Sequence, residues 1–241
     1  MRWVADRSGR FAQRPYWIAN ELDAQCESLV TDFLVRRHGK ADFPISTEDL
    51  TVLIEEATED LDTFADLSTL GQDVEGATDF FEGRRPRVRI DGRLASDPRR
   101  TNRLRTTLTH EYGHVRLHGF LWDFSPAETL FDDSREPRRT ACRTETIVVA
   151  PTADWMEWQA AYASGSLLMP ATLIAEVVGR FQREAGRVGH VQMATDAAAS
   201  VVRLIQDRFD VSEDASRVRL TKLGHLSSEA QPERGLFEPA M

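Results

Sequence analysis

The chain has 241 residues, enough to bury a full hydrophobic core as one domain with tails. It is 41% hydrophobic and 29% charged, an ordinary globular composition, and its net charge of −9 at pH 7 argues against general nucleic-acid affinity while leaving room for a local basic patch. Two cysteines, Cys26 and Cys142, exclude a disulfide framework; no run reaches the length of a membrane span, and the Arg-rich start lacks the apolar core of a secretory signal, so a cytoplasmic protein is expected.

Residues 1–16 read as a polar lead-in, in which Trp3 and Phe11 have no evident place to dock. From Ile18 to Arg37, the residues Ile18, Leu22, Cys26, Leu29 and Phe33 recur every three or four positions and predict a helix with one buried stripe. Cys26 lies in that stripe and reads as a small apolar residue. His38-Gly39 closes the helix. Residues 1–45 are taken together as lead-in and helix. Ser46 or Thr47 caps a second helix, with Leu50, Leu53, Ile54 and Ala57 facing inward.

Between Ala41 and Gly83 there is no Lys or Arg, and acids dominate; from Arg84 to Arg105 the sign reverses. The blocks read as solvated faces opposed to each other, with a docking surface for a macromolecular partner as the alternative. Strands are expected over Asp73–Phe81 and Arg87–Asp91. In the second, Val88 and Ile90 alternate with arginines. A turn at Gly83–Pro86 joins them into a small sheet whose edge could pair with an extended peptide.

The stretch that carries chemistry follows. His110-Glu111-Tyr112-Gly113-His114 is a His-Glu-x-x-His pattern among the apolar positions Leu104, Leu108, Val115 and Leu117. On a helix, His110 and His114 share one face and can aim two imidazoles at one ion. Glu111 is displaced around the helix and is placed to act as a base on metal-bound water. Thr101 or Asn102 can cap this helix and Gly119 can stop it. Gly113 is a poor helix former, which predicts close approach by another backbone or by substrate. His118 lies one turn beyond His114, too far along a straight helix to share the ion, and reads as a supporting residue.

Gly119–Ala153 is expected to be irregular, and Cys142 within it reads as inert because no partner is evident. The third ligand must come from elsewhere. Asp154 can cap a helix on which Glu157, Ala160, Ala161, Ser164 and Leu168 share a face; small residues there permit close packing and could bring Glu157 to the metal. Rivals are Glu128, Asp132, Asp133, Glu136, Glu145 and Asp154. Tyr112 and Tyr162 are candidates for assisting an oxyanion. Helices over Thr172–Ala185, Val191–Phe209 and from Ser212 to Leu223 complete the chain, before a tail. The last carries Arg217, Arg219 and Lys222, but Glu213 and Asp214 at its start would repel phosphate, which argues against direct DNA binding.

His110-Glu111-Tyr112-Gly113-His114, then Glu157-x-x-Ala160, then Leu167-Leu168-Met169-Pro170 resembles the ImmA/IrrE family of metallo-endopeptidases. The resemblance runs from about Ser46 to Leu226 and includes Phe209-Asp210-Val211-Ser212 and Arg219–Gly224. It implies an α+β fold with a zincin-like core: a small antiparallel sheet, an active-site helix and a helical C-terminal part, with a metallopeptidase domain over 46–226 and a tail over 227–241. It implies Zn²⁺ held by His110, His114 and Glu157, with Glu111 as general base. It further implies cleavage of a helix-turn-helix transcriptional repressor in a stress-response or mobile-element circuit. The chain departs from the family pattern at Ala161, where Asn is common, at Ala163, where an aromatic is common, and in its longer gap between His114 and Glu157. These departures motivate an alternative: a zinc-stabilised regulator that binds a protein or DNA without cleaving it. A metal-dependent hydrolase of small molecules is a third reading.

Overall fold

β1 (Arg2–Ala5) and β2 (Gln13–Tyr16) pair antiparallel, Arg2 opposite Tyr16, so the first sixteen residues form a hairpin. The computed structural model describes residues 1–122, 138–143, 154–227 and 234–235. The hairpin gives its aromatics a place: Trp3 meets Phe120 edge-on at 5.9 Å, and Phe11 meets Trp122 at 4.7 Å and Trp155 at 6.2 Å. These partners lie more than a hundred residues away, beyond any local pattern.

α1 (Ala19–His38) starts where the Ile18 amide donates to Glu21 Oε2 at 3.2 Å and ends at Gly39, whose φ of 76° suits a residue without a side chain. Its buried stripe is Leu22, Cys26, Val30, Phe33 and Leu34, with Ile18 outside it. α2 (Thr47–Glu55) is capped by the Ser46 hydroxyl, which accepts from the Asp49 amide at 3.0 Å.

The main sheet comprises β3 (Asp60–Ala65), β4 (Val74–Phe81), β5 (Arg84–Asp91) and β6 (Arg138–Arg143), in the order β3-β5-β4-β6. The sheet is mixed, not antiparallel as expected: β3 runs parallel to β5, while β4 pairs antiparallel with β5 and β6. β3 hides in the acidic run because its alternation is polar. Its register sets Asp60 beside Arg87 and Asp62 beside Arg89, so opposite charges face across the ladder. β6 falls in the segment expected to be irregular. The acidic and basic blocks pair with each other at three acids. Glu59 accepts from Arg84 at 2.5 Å, Glu75 binds Arg100 at 2.5 Å and also Arg103, and Asp79 binds Arg89 at 3.1 Å and also Arg139.

α3 (Gly92–Ala95) and a short 3₁₀ turn at Pro98–Arg100 lead into α4 (Thr101–His118). No side chain caps α4; the turn ahead of it takes that place, and Asp97 caps the turn by accepting from the Arg99 amide at 3.1 Å. From Arg105 to His118 every residue of α4 except Arg116 is buried, so this helix is the axis of the molecule. α5 (Trp155–Leu168) packs along it, followed by α6 (Ala171–Glu184), β7 (Arg187–Val188), β8 (Val191–Gln192), α7 (Asp196–Phe209), α8 (Glu213–Lys222), β9 (Leu226–Ser227) and β10 (Arg234–Gly235). β9 runs parallel to β8 and β10 antiparallel to β7, so parts of the expected tail return to the body. The remainder of that tail lies outside the described residues. No single helix among them is long and apolar enough to cross a membrane.

One core unites α1, α2, β5, α4, α5 and the C-terminal helices through residues such as Leu22, Leu50, Ile90, Leu108, Leu167 and Val201. The fold is α+β, with α4 held between the sheet and α5.

Candidate metal centre

Two helices meet closely because their sequences leave room. A Cβ on Gly113 would lie 3.0 Å from Cα of Ala160 and 3.2 Å from its carbonyl oxygen, so the backbone of α5 takes the space a side chain would need. One turn back, Thr109 and Ser164 hydroxyls meet at 2.7 Å, and Ser164 also donates to the Thr106 carbonyl at 3.1 Å. Asp154 caps α5, accepting from the Met156 amide at 3.1 Å and the Glu157 amide at 3.5 Å. The first turn of α5 is thereby held beside the middle of α4.

That geometry brings His110, His114 and Glu157 together. His110 Nε2 lies 3.1 Å from Glu157 Oε2, His114 Nε2 lies 3.3 Å from Glu157 Oε1, and the two Nε2 atoms are 3.2 Å apart. Metal–nitrogen bonds of about 2.0–2.1 Å in a tetrahedron separate ligand atoms by about 3.3 Å. The three observed distances are of that length, the two to Glu157 ending on its two different oxygens. Two imidazole nitrogens and a carboxylate aimed at one another have lone pairs in excess, and only a proton or a cation between them relieves this. The set is therefore a buried group that could hold a metal ion. His110 and His114 have no exposed surface, and the Glu157 side chain is 14% exposed.

Electrostatics follow the same pattern. Burial pushes the Glu157 carboxyl up, but the His114 charge and hydrogen bonds from both histidines hold it well below the usual carboxylate range. Burial lowers His110, an effect that its bond to Glu157 does not overcome. For His114 burial also lowers, but the Glu157 and Glu111 charges outweigh it and the net shift is upward.

No protein-family model matches the sequence, and no curated protein does.

Glu111 sits beside the triangle against β4. Thr78 on β4 donates to its Oε2 at 2.6 Å, while Oε1 is buried with no hydrogen-bond partner among the described residues. A Cβ on Gly76 would fall 2.6 Å from Oε1 and 2.9 Å from Thr107 Cγ2, so a glycine there is what admits the carboxyl under the strand. Burial raises Glu111 to about 7, partly offset by the His114 charge and the Thr78 bond. Cys142 on β6 stands opposite Gly76 in the ladder, and its Sγ joins His110 and Glu111 in a group whose ligand atoms lie within 4.8 Å of one another. β6 carries Cys142 to the site and gives it neighbours that were not evident in the sequence. Burial pushes this thiol well above its ordinary range and keeps it protonated.

Tyr112 is buried in the main core, and the Tyr162 hydroxyl donates to Asp23 Oδ2 at 2.9 Å. Tyr162 is thus engaged away from the triangle. Asp154 serves as the cap of α5, and the other rival ligands, Glu128, Asp132, Asp133, Glu136 and Glu145, lie outside the described residues. His118 lies behind His114: the two Nδ1 atoms are 3.1 Å apart, and His118 Nε2 lies 3.1 Å from Gln159 Oε1. Among the polar residues of the site, sequence reasoning missed Thr78 and Gln159. Neither belongs to a motif, and each acts across more than thirty residues of chain.

Proposed function

We propose that this chain is a zinc-dependent endopeptidase with a zincin-like core, akin to the ImmA/IrrE family, acting in the cytoplasm on a helix-turn-helix repressor. The observation that carries the reading is the triangle of His110 Nε2, His114 Nε2 and the Glu157 carboxylate beside a carboxyl with one uncommitted oxygen. The substrate class rests on the resemblance in the sequence motifs.

Two imidazoles and one carboxylate form the donor set of hydrolytic zinc sites, where the ion supplies a Lewis acid and acidifies a bound water. The protein's own groups do the rest. Thr78 fixes one Glu111 oxygen and leaves Oε1 to accept a proton. Burial holds Glu111 at about 7, so it can take a proton and return it to the leaving amine near neutral pH. Glu157 stays ionised and would supply the third donor beside the two Nε2 atoms.

The test is cleavage of a helix-turn-helix repressor encoded beside this chain, with and without chelator. Glu111→Gln should slow turnover by at least about 100-fold. Equal turnover by the Gln variant would remove Glu111 as the base.

A second reading is supported by the closure of the site. His110, Glu111, His114 and Cys142 are all buried, and β6 holds the edge of β4 next to Glu111. Cutting a peptide requires an opening to Glu111, which is wholly buried. A metal-stabilised regulator that binds without cutting needs no such opening. Stoichiometric, uncleaved complex formation by zinc-loaded wild type would favour the regulator, and multiple turnovers would dismiss it.

A further inference from the structure

An imidazole binds a metal through a bare nitrogen, so something must keep the proton on the other one. For His114 that second nitrogen, Nδ1, faces another histidine. His118 Nδ1 lies 3.1 Å away, and two ring nitrogens can bond only if one carries hydrogen and the other does not. A neutral histidine offers one of each, and which is which depends on its far side. On the far side of His118 is Gln159, whose Oε1 lies 3.1 Å from Nε2. The Gln159 amide in turn donates from Nε2 to the carbonyl of Pro15 at 3.0 Å.

Pro15 has no N–H, and its carbonyl can only accept. Reversing the Gln159 amide would set carbonyl against carbonyl. The amide therefore points its oxygen at His118, and His118 Nε2 must be the donor. With its one ring hydrogen on Nε2, His118 presents Nδ1 as an acceptor toward His114. His114 Nδ1 must then donate, and His114 Nε2 is left for the triangle. Every member of this series is buried: His114 and His118 at 0% and Gln159 at 2% exposure.

We propose that Gln159, locked by the Pro15 carbonyl of the N-terminal hairpin, is a positioning residue that sets the tautomer of His118 and thereby presents Nε2 of His114 to the metal. The proposal rests on the metal-site reading above and adds a purpose for the hairpin. The hairpin is fastened where it is needed: Arg10 Nη2 reaches Asp154 at 3.3 Å, and Arg14 lies over the Trp155 ring at 5.4 Å.

The test uses the full chain. In zinc-free protein, imidazole nitrogen NMR should show His118 protonated at Nε2 in wild type, and a mixed or reversed tautomer in Gln159→Leu. Zinc affinity, measured by competition with a chromogenic chelator, should fall by about 10- to 100-fold in the same variant. His118→Asn supplies an oxygen near the place of Nδ1 whose acceptor character does not depend on Gln159. In that background Gln159→Leu should change zinc affinity less than about twofold, because outer partners act through the ligand they orient. An unchanged His118 tautomer with unchanged zinc affinity in Gln159→Leu overturns the proposal. A full affinity loss from Gln159→Leu in the His118→Asn background does so too, by showing that Gln159 acts through packing. Wild-type protein that keeps the stated tautomer but binds no zinc would instead overturn the metal-site reading.

Discussion

α5 carries a buried charged cluster near each end, and the two differ in kind. At its C-terminal half, Asp23 accepts from Tyr162 at 2.9 Å and from Ser166 at 2.8 Å, and pairs with Arg219 at 2.6 Å. Arg219 also donates to the Met169 carbonyl at 3.1 Å. Both carboxylate oxygens meet donors and face an opposite charge, although Arg219 Nη1 and Nη2 make no hydrogen bond among the described residues. At the N-terminal end, His110, His114 and Glu157 turn acceptors toward one another and are complete only with a proton or a cation between them. Burial of charge alone therefore does not mark a site. The count of donors against acceptors does, and it separates a structural ion pair from a metal centre on one helix.

The largest effects should separate the two ends. Asp23→Ala leaves the Arg219 guanidinium buried and unpaired, which should cost about 3–5 kcal/mol of unfolding free energy with or without zinc. Glu157→Gln should cost much less in chelator-treated protein. With zinc present, wild type should gain about 4 kcal/mol at a thousandfold excess over Kd, and the Gln variant should lose that gain. Urea melts of both variants in both states check this. Similar losses in the metal-free state would make the histidine cluster a structural pair like the other.

A pH series tests the same contrast through Glu111. Its folded value of about 7 exceeds the ordinary 4.5, so the folded state holds more protons between those values. Stability from this group is then present below pH 4.5 and is lost as pH rises to 7. In metal-free protein, Glu111→Gln should match wild type near pH 4.5 and exceed it by a few kcal/mol above pH 7. A gap that is constant with pH would place the burial cost elsewhere.

Local patterns made much of the site legible. The spacing of His110 and His114, the cap at Asp154 and the small residues of α5 are all short-range signals, and Gly113 announced the close approach that the Ala160 backbone makes. What was not legible depends on long-range pairing. β3 alternates Asp with other residues and makes sense only beside Arg87 and Arg89. β6, which brings Cys142 to Glu111, is recognised only by its ladder with β4. Thr78 and Gln159 are ordinary polar residues until the fold sets them against Glu111 and His118. In the last helix, Arg217, Arg219 and Lys222 suggested a basic surface, but Arg219 points inward to Asp23 and Arg217 pairs with Glu213 at 2.6 Å.

The smallest effects distinguish the two ends by packing. Gly113→Ala places a methyl 3.0 Å from Cα of Ala160, on backbone that cannot step aside without moving α5. Overpacking of this kind costs about 1–3 kcal/mol, and here it should also weaken zinc binding, because the helix that yields carries Glu157. Gly165→Ala, at the other end of α5, meets only Arg219 Cδ at 3.5 Å, an ordinary contact. Replacing a mid-helix glycine by alanine gains up to about 1 kcal/mol, so this variant should be neutral or slightly more stable, with zinc affinity unchanged. Thermal melts and chelator competition on the two variants give four numbers. If Gly113→Ala kept full zinc affinity while losing stability, the α4–α5 approach would matter for folding and not for the metal. If Gly165→Ala weakened zinc binding, the two clusters would be coupled through α5 and could no longer be treated as separate.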